Sequence, residues 1–300
     1  MRRELALDES PPLAATLPFF VNAPVFASLA AALLLYAGPA AFSTRWSPFA
    51  LAVTHLMTLG VFASTMMGAL IQILPVAIGA HVFRARRNAI AIHALLTFGT
   101  MTLAWAFVGS ISALFPIAGL LCCAAIVWFT LACAIGLVRG ASLDAHRVID
   151  IVRAVALALV SLFATAALGA VLTASLDGLL SLPVPMVALT ELHLTWGLGG
   201  WIGLLTVGVS YQVIPMFQVT EPYPRWITHA FVPIAFLVLA LHRCPASRCK
   251  LGGRRRRRSA SSCWLGFMAS SPRSRSSFYD AESVPRLTRL RCIGERRWSA

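Results

Sequence analysis

Charged side chains are scarce in this 300-residue chain, and lysine is nearly absent. Only 12% of the residues are charged, Lys250 is the one lysine, and hydrophobic residues make up 58%. The mean hydropathy of +0.78 lies outside the range of soluble domains. The sequence also lacks a nucleophile–base pair, a glycine-rich phosphate loop, a carboxylate cluster at metal spacing and a CxxC pair. These absences argue against the familiar soluble enzymes and predict a polytopic membrane protein.

Long apolar runs predict an all-α fold, a polytopic transmembrane helical bundle. A spanning helix needs about 20 mostly apolar residues. Six spans are predicted near residues 17–38, 49–79, 89–114, 116–138, 151–175 and 185–215, and a truncated seventh begins near residue 227. The predicted organisation is a cytoplasmic N-terminal segment at 1–16, a transmembrane domain at 17–242 and a tail at 243–300.

Arginine placement predicts the orientation of the bundle. With the N-terminus inside, the outer loops hold Arg45 alone, whereas the inner segments hold nine arginines: Arg2, Arg3, Arg84, Arg86, Arg87, Arg139, Arg147, Arg153 and Arg225. Positive residues concentrate in cytoplasmic loops. The sequence therefore predicts a cytoplasmic N-terminus, in the inner (plasma) membrane of a bacterial-type cell.

The tail at 243–300 differs in kind from the rest of the chain. It contains five consecutive arginines, Arg254 to Arg258, together with eleven serines and four of the seven cysteines. It holds fifteen basic and three acidic residues, so it carries +12 of the net charge of +14. We therefore expect no nucleic-acid partner for the membrane body. Two interpretations of the tail stay open: an out-of-frame reading of a GC-rich gene, or a basic, disordered cytoplasmic tail attracted to anionic lipid.

A near-repeat about 140 residues apart carries the functional hypothesis. Aligned on Gln72-x-x-Pro75 and Gln212-x-x-Pro215, the pairs Gly60/Gly200 and Gly68/Gly208 also coincide. Each copy has a histidine near its start, His55 or His193, and the two histidines fall two positions out of register. A histidine inside a membrane span is a candidate functional residue. Both are predicted at matched depth in parallel spans, so the pair is a candidate metal-ligating site.

The neighbours of the two histidines suggest what such a site holds. Gly197 and Gly200 share the helix face of His193, and glycines allow a flat macrocycle to approach closely. Met66, with Leu59 and Phe62, shares the face of His55 as an apolar wall. Haem iron accepts axial histidines. The alternative is a structural role, in which each histidine hydrogen-bonds a neighbouring helix.

Other polar residues in or near the spans are weaker candidates. Gly60, Ser64, Gly68 and Gln72 form a separate stripe on span two that predicts a helix-packing seam. Glu191 is predicted as a proton carrier, a partner for a histidine, or a group solvated at the interface. His93 and His229 lie near the inner ends of their helices, which leaves a second inner site open.

Two stretches resemble a known superfamily: THLMTLGVFASTMMGALIQILPVAIG at 54–79 and ELHLTWGLGGWIGLLTVGVSYQVIPMF at 191–217. They look like the His-x(4–6)-Gly spans of the membrane-embedded haem superfamily that includes haem–copper oxidase subunit I, nitric-oxide reductase catalytic subunits and NnrS-type proteins. The resemblance implies a low-spin b-type haem held by His55 and His193. The catalytic members have an adjacent His-His pair, which this sequence lacks. What the resemblance implies here is therefore a non-catalytic haem protein for sensing, storage or electron transfer.

Two other function classes stay open. The parallel repeat and the proline-interrupted spans also suit a transporter or permease, although the spans hold almost no polar lining. A structural membrane subunit without a cofactor is the third class. The expected partners are membrane lipid and other respiratory membrane subunits.

Overall fold

The computed structural model describes residues 10–82, 84–140, 145–181 and 183–242. The predicted tail at 243–300 and the first part of the N-terminal segment lie outside the described residues. Within the described ranges the chain is helical and contains no strand. Six helical segments are long and apolar enough to cross a membrane, which confirms the predicted all-α bundle of six spans. The chain is a multipass integral membrane protein.

The six spans are named in chain order. Span one is Leu13–Ala37, continued by a 3-10 helix at Gly38–Phe42. Span two runs through Pro48–His55, Leu56–Ala63 and Ser64–Ile78. Spans three, four and five are Ala85–Gly109, Leu114–Gly140 and Ala145–Leu176. Span six runs through Met186–Leu194, Thr195–Gly203 and Leu204–Gln218.

A seventh helix, Arg225–Leu241, follows span six and is shorter than the others. Its 17 residues extend about 25 Å, less than the roughly 30 Å of a bilayer core. Val232 is its one buried residue, whereas Trp226 and Leu241 are more than 70% exposed. The helix lies on the outside of the bundle against spans five and six.

The boundaries of span three differ from the prediction. The helix ends at Gly109 rather than near 114, because Ser110 adopts a left-handed conformation with φ +53°. The amide of Ser110 still bonds the carbonyl of Phe107, and the amide of Ile111 bonds that of Ala106. Leu114 then begins span four. The apolar composition runs on through Ile111, so hydropathy alone did not reveal this turn.

The spans pack in an order that follows the chain. Spans one, two and three pack together, span three packs on span four, span four on span five, and span five on span six. Successive spans alternate in direction, so the loop with Arg45 and the loop with Arg84 lie at opposite ends, called here the Arg45 end and the Arg84 end. One core cluster, around Phe26, Leu56 and Phe107, lies near the Arg45 end. A larger one around Phe19, Phe129 and Trp201 joins all six spans.

Candidate functional site

His55 and His193 come together near the Arg45 end. Each lies seven residues after the start of its span, at Pro48 or Met186, which is about 10 Å along each helix. The two ring centroids are 6.4 Å apart and the ring planes differ by 29°. Both side chains are half-buried. The two halves of the repeat therefore bring their histidines to the same depth and within reach of each other.

Each imidazole is held by one hydrogen bond from its Nδ1 atom. His55 Nδ1 lies 2.8 Å from the Leu51 carbonyl, one turn earlier in span two. His193 Nδ1 lies 3.0 Å from the Thr165 carbonyl of span five. Since a carbonyl only accepts, both Nδ1 atoms carry the proton and both Nε2 atoms have a free lone pair. Within the described residues neither Nε2 has a hydrogen-bond partner. This is the tautomer in which a histidine binds a metal ion through Nε2.

Neighbouring side chains fix the orientation of both rings. Phe107 of span three lies parallel to the His55 ring, with centroids 5.3 Å apart and planes at 27°. Phe115 of span four packs edge-on against Phe107 at 5.0 Å. The His193 ring lies over Gly169 of span five, where a Cβ atom would come within 3.2 Å of its Cε1 atom. The Phe107 ring restricts the position of the His55 imidazole, and the missing side chain of Gly169 leaves the space that the His193 imidazole occupies.

The two imidazole rings lie 6.4 Å apart with their planes at 29°, so two nitrogen donors come close together. Histidine nitrogens are ligands that haem iron and other first-row metal ions accept. The backbones of spans two and six do not pack closely: span two packs on spans one and three, and span six on span five and the seventh helix. The two histidine side chains come together from helices whose backbones lie apart. They are the donor set that a bis-histidine haem would need.

A π-helical segment follows each histidine. It covers Leu56–Ala63 in span two and Thr195–Gly203 in span six. In the alignment of the two repeats the segments match, except that the second begins one residue earlier. A π-turn widens the helix by one residue and often occurs at functional sites. The sequence did not predict these segments, although Gly60 and Gly200 lie inside them at matched positions.

No family model, curated protein or solved structure matches this chain. The resemblance to the membrane haem superfamily therefore depends on the two quoted stretches, and haem binding stays a prediction. Among the residues that the structure describes, no three His, Cys, Asp or Glu side chains gather closely enough to hold a metal ion. A metal ion at the candidate site would have two protein ligands, His55 and His193.

The glycines and Met66 lie outside the gap between the two rings. A Cβ atom on Gly200 would lie 2.6 Å from Ser161 Cβ, and one on Gly197 would lie 3.3 Å from Thr165 Cγ2, so both glycines face span five. Met66, eleven residues after His55, is half-buried and packs against the larger core cluster. Their predicted roles beside a haem stay predictions. The position of the two glycines shows that they allow spans five and six to pack closely.

The predicted seam on span two is confirmed. A Cβ atom on Gly68 would lie 2.8 Å from Phe19 Cβ, and one on Gly60 would overlap Phe26, both in span one. Ser64 donates to the Phe19 carbonyl at 3.0 Å. Thr16 Oγ1 donates to Gln72 Oε1 at 3.4 Å. The stripe therefore packs on span one, away from the gap.

Glu191 pairs with the arginine of the first loop rather than with a histidine. Its Oε1 atom lies 2.7 Å from Arg45 Nη1, and both side chains are substantially exposed. The guanidinium also lies over the Trp46 ring, 4.9 Å from its centroid. Of the three roles left open for Glu191, its exposed position fits a group solvated at the interface. The ion pair instead ties the first loop to span six, two residues before His193.

Sequence reasoning missed Asp150. The predicted fifth span began at 151, so this acid was left outside, whereas in the structure it lies within span five and is 18% exposed. It accepts hydrogen bonds from Thr228 and His229 of the seventh helix. An acid at the very start of an apolar run was the available signal. His93, the other predicted inner residue, lies apart from this group and contacts Phe19 and Thr97.

Proposed function

We propose that this chain is an integral membrane haem protein with His55 and His193 as the axial ligands of one b-type haem between spans two and six. The observation that carries the proposal is the pair of imidazoles, 6.4 Å apart, with both Nδ1 atoms bound to carbonyls. A haem held in this way supplies one-electron exchange. A non-catalytic role in sensing, storage or electron transfer is the form of this function that we propose.

The residues around the rings would hold the ligands ready. The Leu51 and Thr165 carbonyls keep the proton on each Nδ1, so Nε2 remains free to bind. Phe107 restricts rotation of the His55 ring, and Gly169 leaves the space that the His193 ring occupies. Because both rings are restrained before a ligand arrives, little side-chain entropy is lost on binding.

A haem carboxylate at the Arg45 end would compete with Glu191 for the guanidinium of Arg45. Arg45 is the sole basic residue at this end among the described residues, and its partner Glu191 precedes His193 by two residues. Haem carboxylates lie at the edge of the macrocycle and pair well with a guanidinium. Arginine placement supports an orientation with the N-terminus in the cytoplasm and the Arg45 end outside. The proposed location is a bacterial inner membrane, with lipid and respiratory membrane subunits as partners.

The direct test is the absorption spectrum of the purified full chain after reconstitution with haem. We expect a six-coordinate b-type spectrum that changes on reduction. His55→Ala and His193→Ala should abolish or alter it, because each removes one axial nitrogen. His93→Ala is the matched control, a membrane histidine outside the pair, and should leave the spectrum intact. A protein that stays colourless after reconstitution would overturn the proposal.

A structural membrane subunit is the second candidate, and one contact favours it. The hydrogen bond from His193 to the Thr165 carbonyl joins spans five and six, as a packing histidine would. Such bonds contribute about 0.6–2 kcal/mol in membrane proteins. If this is the whole role, His193→Ala lowers the unfolding free energy by that amount and His55→Ala, whose bond stays within its own helix, has a smaller effect. Stability and spectrum therefore separate the two candidates.

A further inference from the structure

The bundle contains two three-helix units whose helices pack in the same register. Unit one is spans one, two and three, and unit two is spans five and six with the seventh helix. Each close approach of a span-two glycine to span one recurs for the matched span-six glycine and span five: Gly60 on Phe26 and Gly200 on Ser161, Gly68 on Phe19 and Gly208 on Ala154. The partners on spans one and five are also separated by a constant number of residues. Each unit therefore packs as a body of its own.

The two units share a hydrophobic core cluster at one end of the bundle. The larger cluster includes Ile78 and Ala89 near the Arg84 end and draws buried residues from both units. The buried residues of the cluster near the Arg45 end all come from spans one to four, and among the described residues unit two adds to it only the partly buried Leu176. Packing therefore joins the units at the Arg84 end, whereas spans two and six lie apart at the Arg45 end, where the two histidines meet.

An ion pair links unit one to unit two beside the histidine pair. Arg45 Nη1, in the loop before span two, donates to Glu191 Oε1 of span six at 2.7 Å. Span two begins three residues after Arg45, and Glu191 precedes His193 by two residues. The ion pair therefore lies across the gap between spans two and six, on the Arg45 side of both imidazoles.

Contacts within the first loop fix the position of Arg45. The Ser47 hydroxyl donates to the Ala41 carbonyl at 3.1 Å and accepts from the Ala50 amide at 3.0 Å. The Arg45 guanidinium also lies over the Trp46 ring, 4.9 Å from its centroid. The ion pair itself is exposed, so water and salt weaken it. A firmly placed arginine in a weak pair gives a link that can open while both units stay folded.

We propose that the Arg45–Glu191 pair is a strap that closes the gap between spans two and six, and that its opening admits haem to His55 and His193. This inference rests on the proposed function, because haem is the molecule that the gap would take in. The shared core at the Arg84 end acts as the hinge, since packing there holds the units together while the strap opens. An exposed pair favours the closed state by at most about fivefold, so the strap sets the rate of entry and leaves the axial ligands unchanged.

The first test measures the rate of haem uptake by the purified full chain in detergent, followed by absorption. We expect Arg45→Gln and Glu191→Gln each to take up haem faster than the natural sequence, by up to about fivefold. The two variants change the local charge in opposite directions, so a direct effect of charge on the haem carboxylates would speed one and slow the other. Asp177→Asn is the matched control, an acid at the same end outside the pair, and should leave the rate unchanged. Equal rates in all four chains, or opposite changes in the two strap variants, would overturn the proposal.

The second test needs no haem and therefore separates failure of the strap from failure of the proposed function. Mass spectrometry follows hydrogen–deuterium exchange at the Cε1 carbon of His55 and His193 in the full chain. We expect Arg45→Gln and Glu191→Gln both to speed this exchange by up to about fivefold, and added salt to speed it in the natural sequence alone. Unchanged exchange in both variants would overturn the strap even if haem binds. Faster exchange in a chain that stays colourless with haem would support the strap and overturn only haem as the molecule it admits.

Discussion

Gly200→Ala tests the closest approach of spans five and six. The new Cβ atom would lie 2.6 Å from Ser161 Cβ, and ordinary contacts lie at 3.4–4 Å. The helices must therefore separate by roughly 0.8 Å at this point, because Ser161 is fully buried and close-packed interiors have little slack. Overpacking of this kind costs about 1–3 kcal/mol. We expect Gly200→Ala to lower the unfolding free energy by that amount.

The assay is denaturant unfolding of the purified chain in detergent, followed by helical circular dichroism. Gly203→Ala is the matched control: it makes the same substitution in the same π-helical segment, where the nearest atom to a new Cβ belongs to its own helix. It should cost less than Gly200→Ala, because the closest atom to its new Cβ, the Leu198 carbonyl oxygen, lies 3.3 Å away rather than 2.6 Å. Ser161→Gly in the Gly200→Ala background should recover part of the loss, with a coupling energy of about 0.5–3 kcal/mol. If Gly200→Ala is as stable as Gly203→Ala, the described contact between spans five and six is wrong.

Three further predictions concern other parts of the bundle. Asn22 donates to Ser64 Oγ at 3.2 Å and to Thr97 Oγ1 at 2.9 Å, so its side chain links three spans. Asn22→Ala should therefore lower the unfolding free energy by about 0.6–2 kcal/mol in the same assay. An unchanged stability would contradict that link. Arg45→Gln breaks an exposed ion pair and should cost less than about 1 kcal/mol, with a smaller difference still at high salt, so a larger loss would indicate a role beyond the pair. Single cysteines can be placed at 84 and 110 in a chain without its natural cysteines. A membrane-impermeant reagent should label the two positions from opposite sides of the membrane, with position 110 labelled from outside. Labelling of both positions from one side would refute the alternating topology.

Much of the architecture was predictable because hydropathy is a local property. A run of about 20 apolar residues is sufficient to identify a spanning helix, and the six spans follow from that alone. The repeat, and with it the equal depth of the two histidines, also follows from spacing along the chain. The seam on span two was predictable because Gly60, Ser64 and Gly68 recur every four residues, and small residues mark close helix contacts.

Only the tertiary structure decided which helix each face contacts. Lipid is as apolar as a protein core, so the faces of a membrane helix differ little in hydrophobicity and the sequence pattern does not identify the neighbour. For this reason Gly197 and Gly200, on the same helix face as His193, turned out to pack on span five. Two contacts join residues that lie 28 or more positions apart in the sequence: the hydrogen bond from His193 to Thr165 and the pairing of Asp150 with His229. Contacts at such separations depend on how the bundle closes, which no local signal in the sequence specifies.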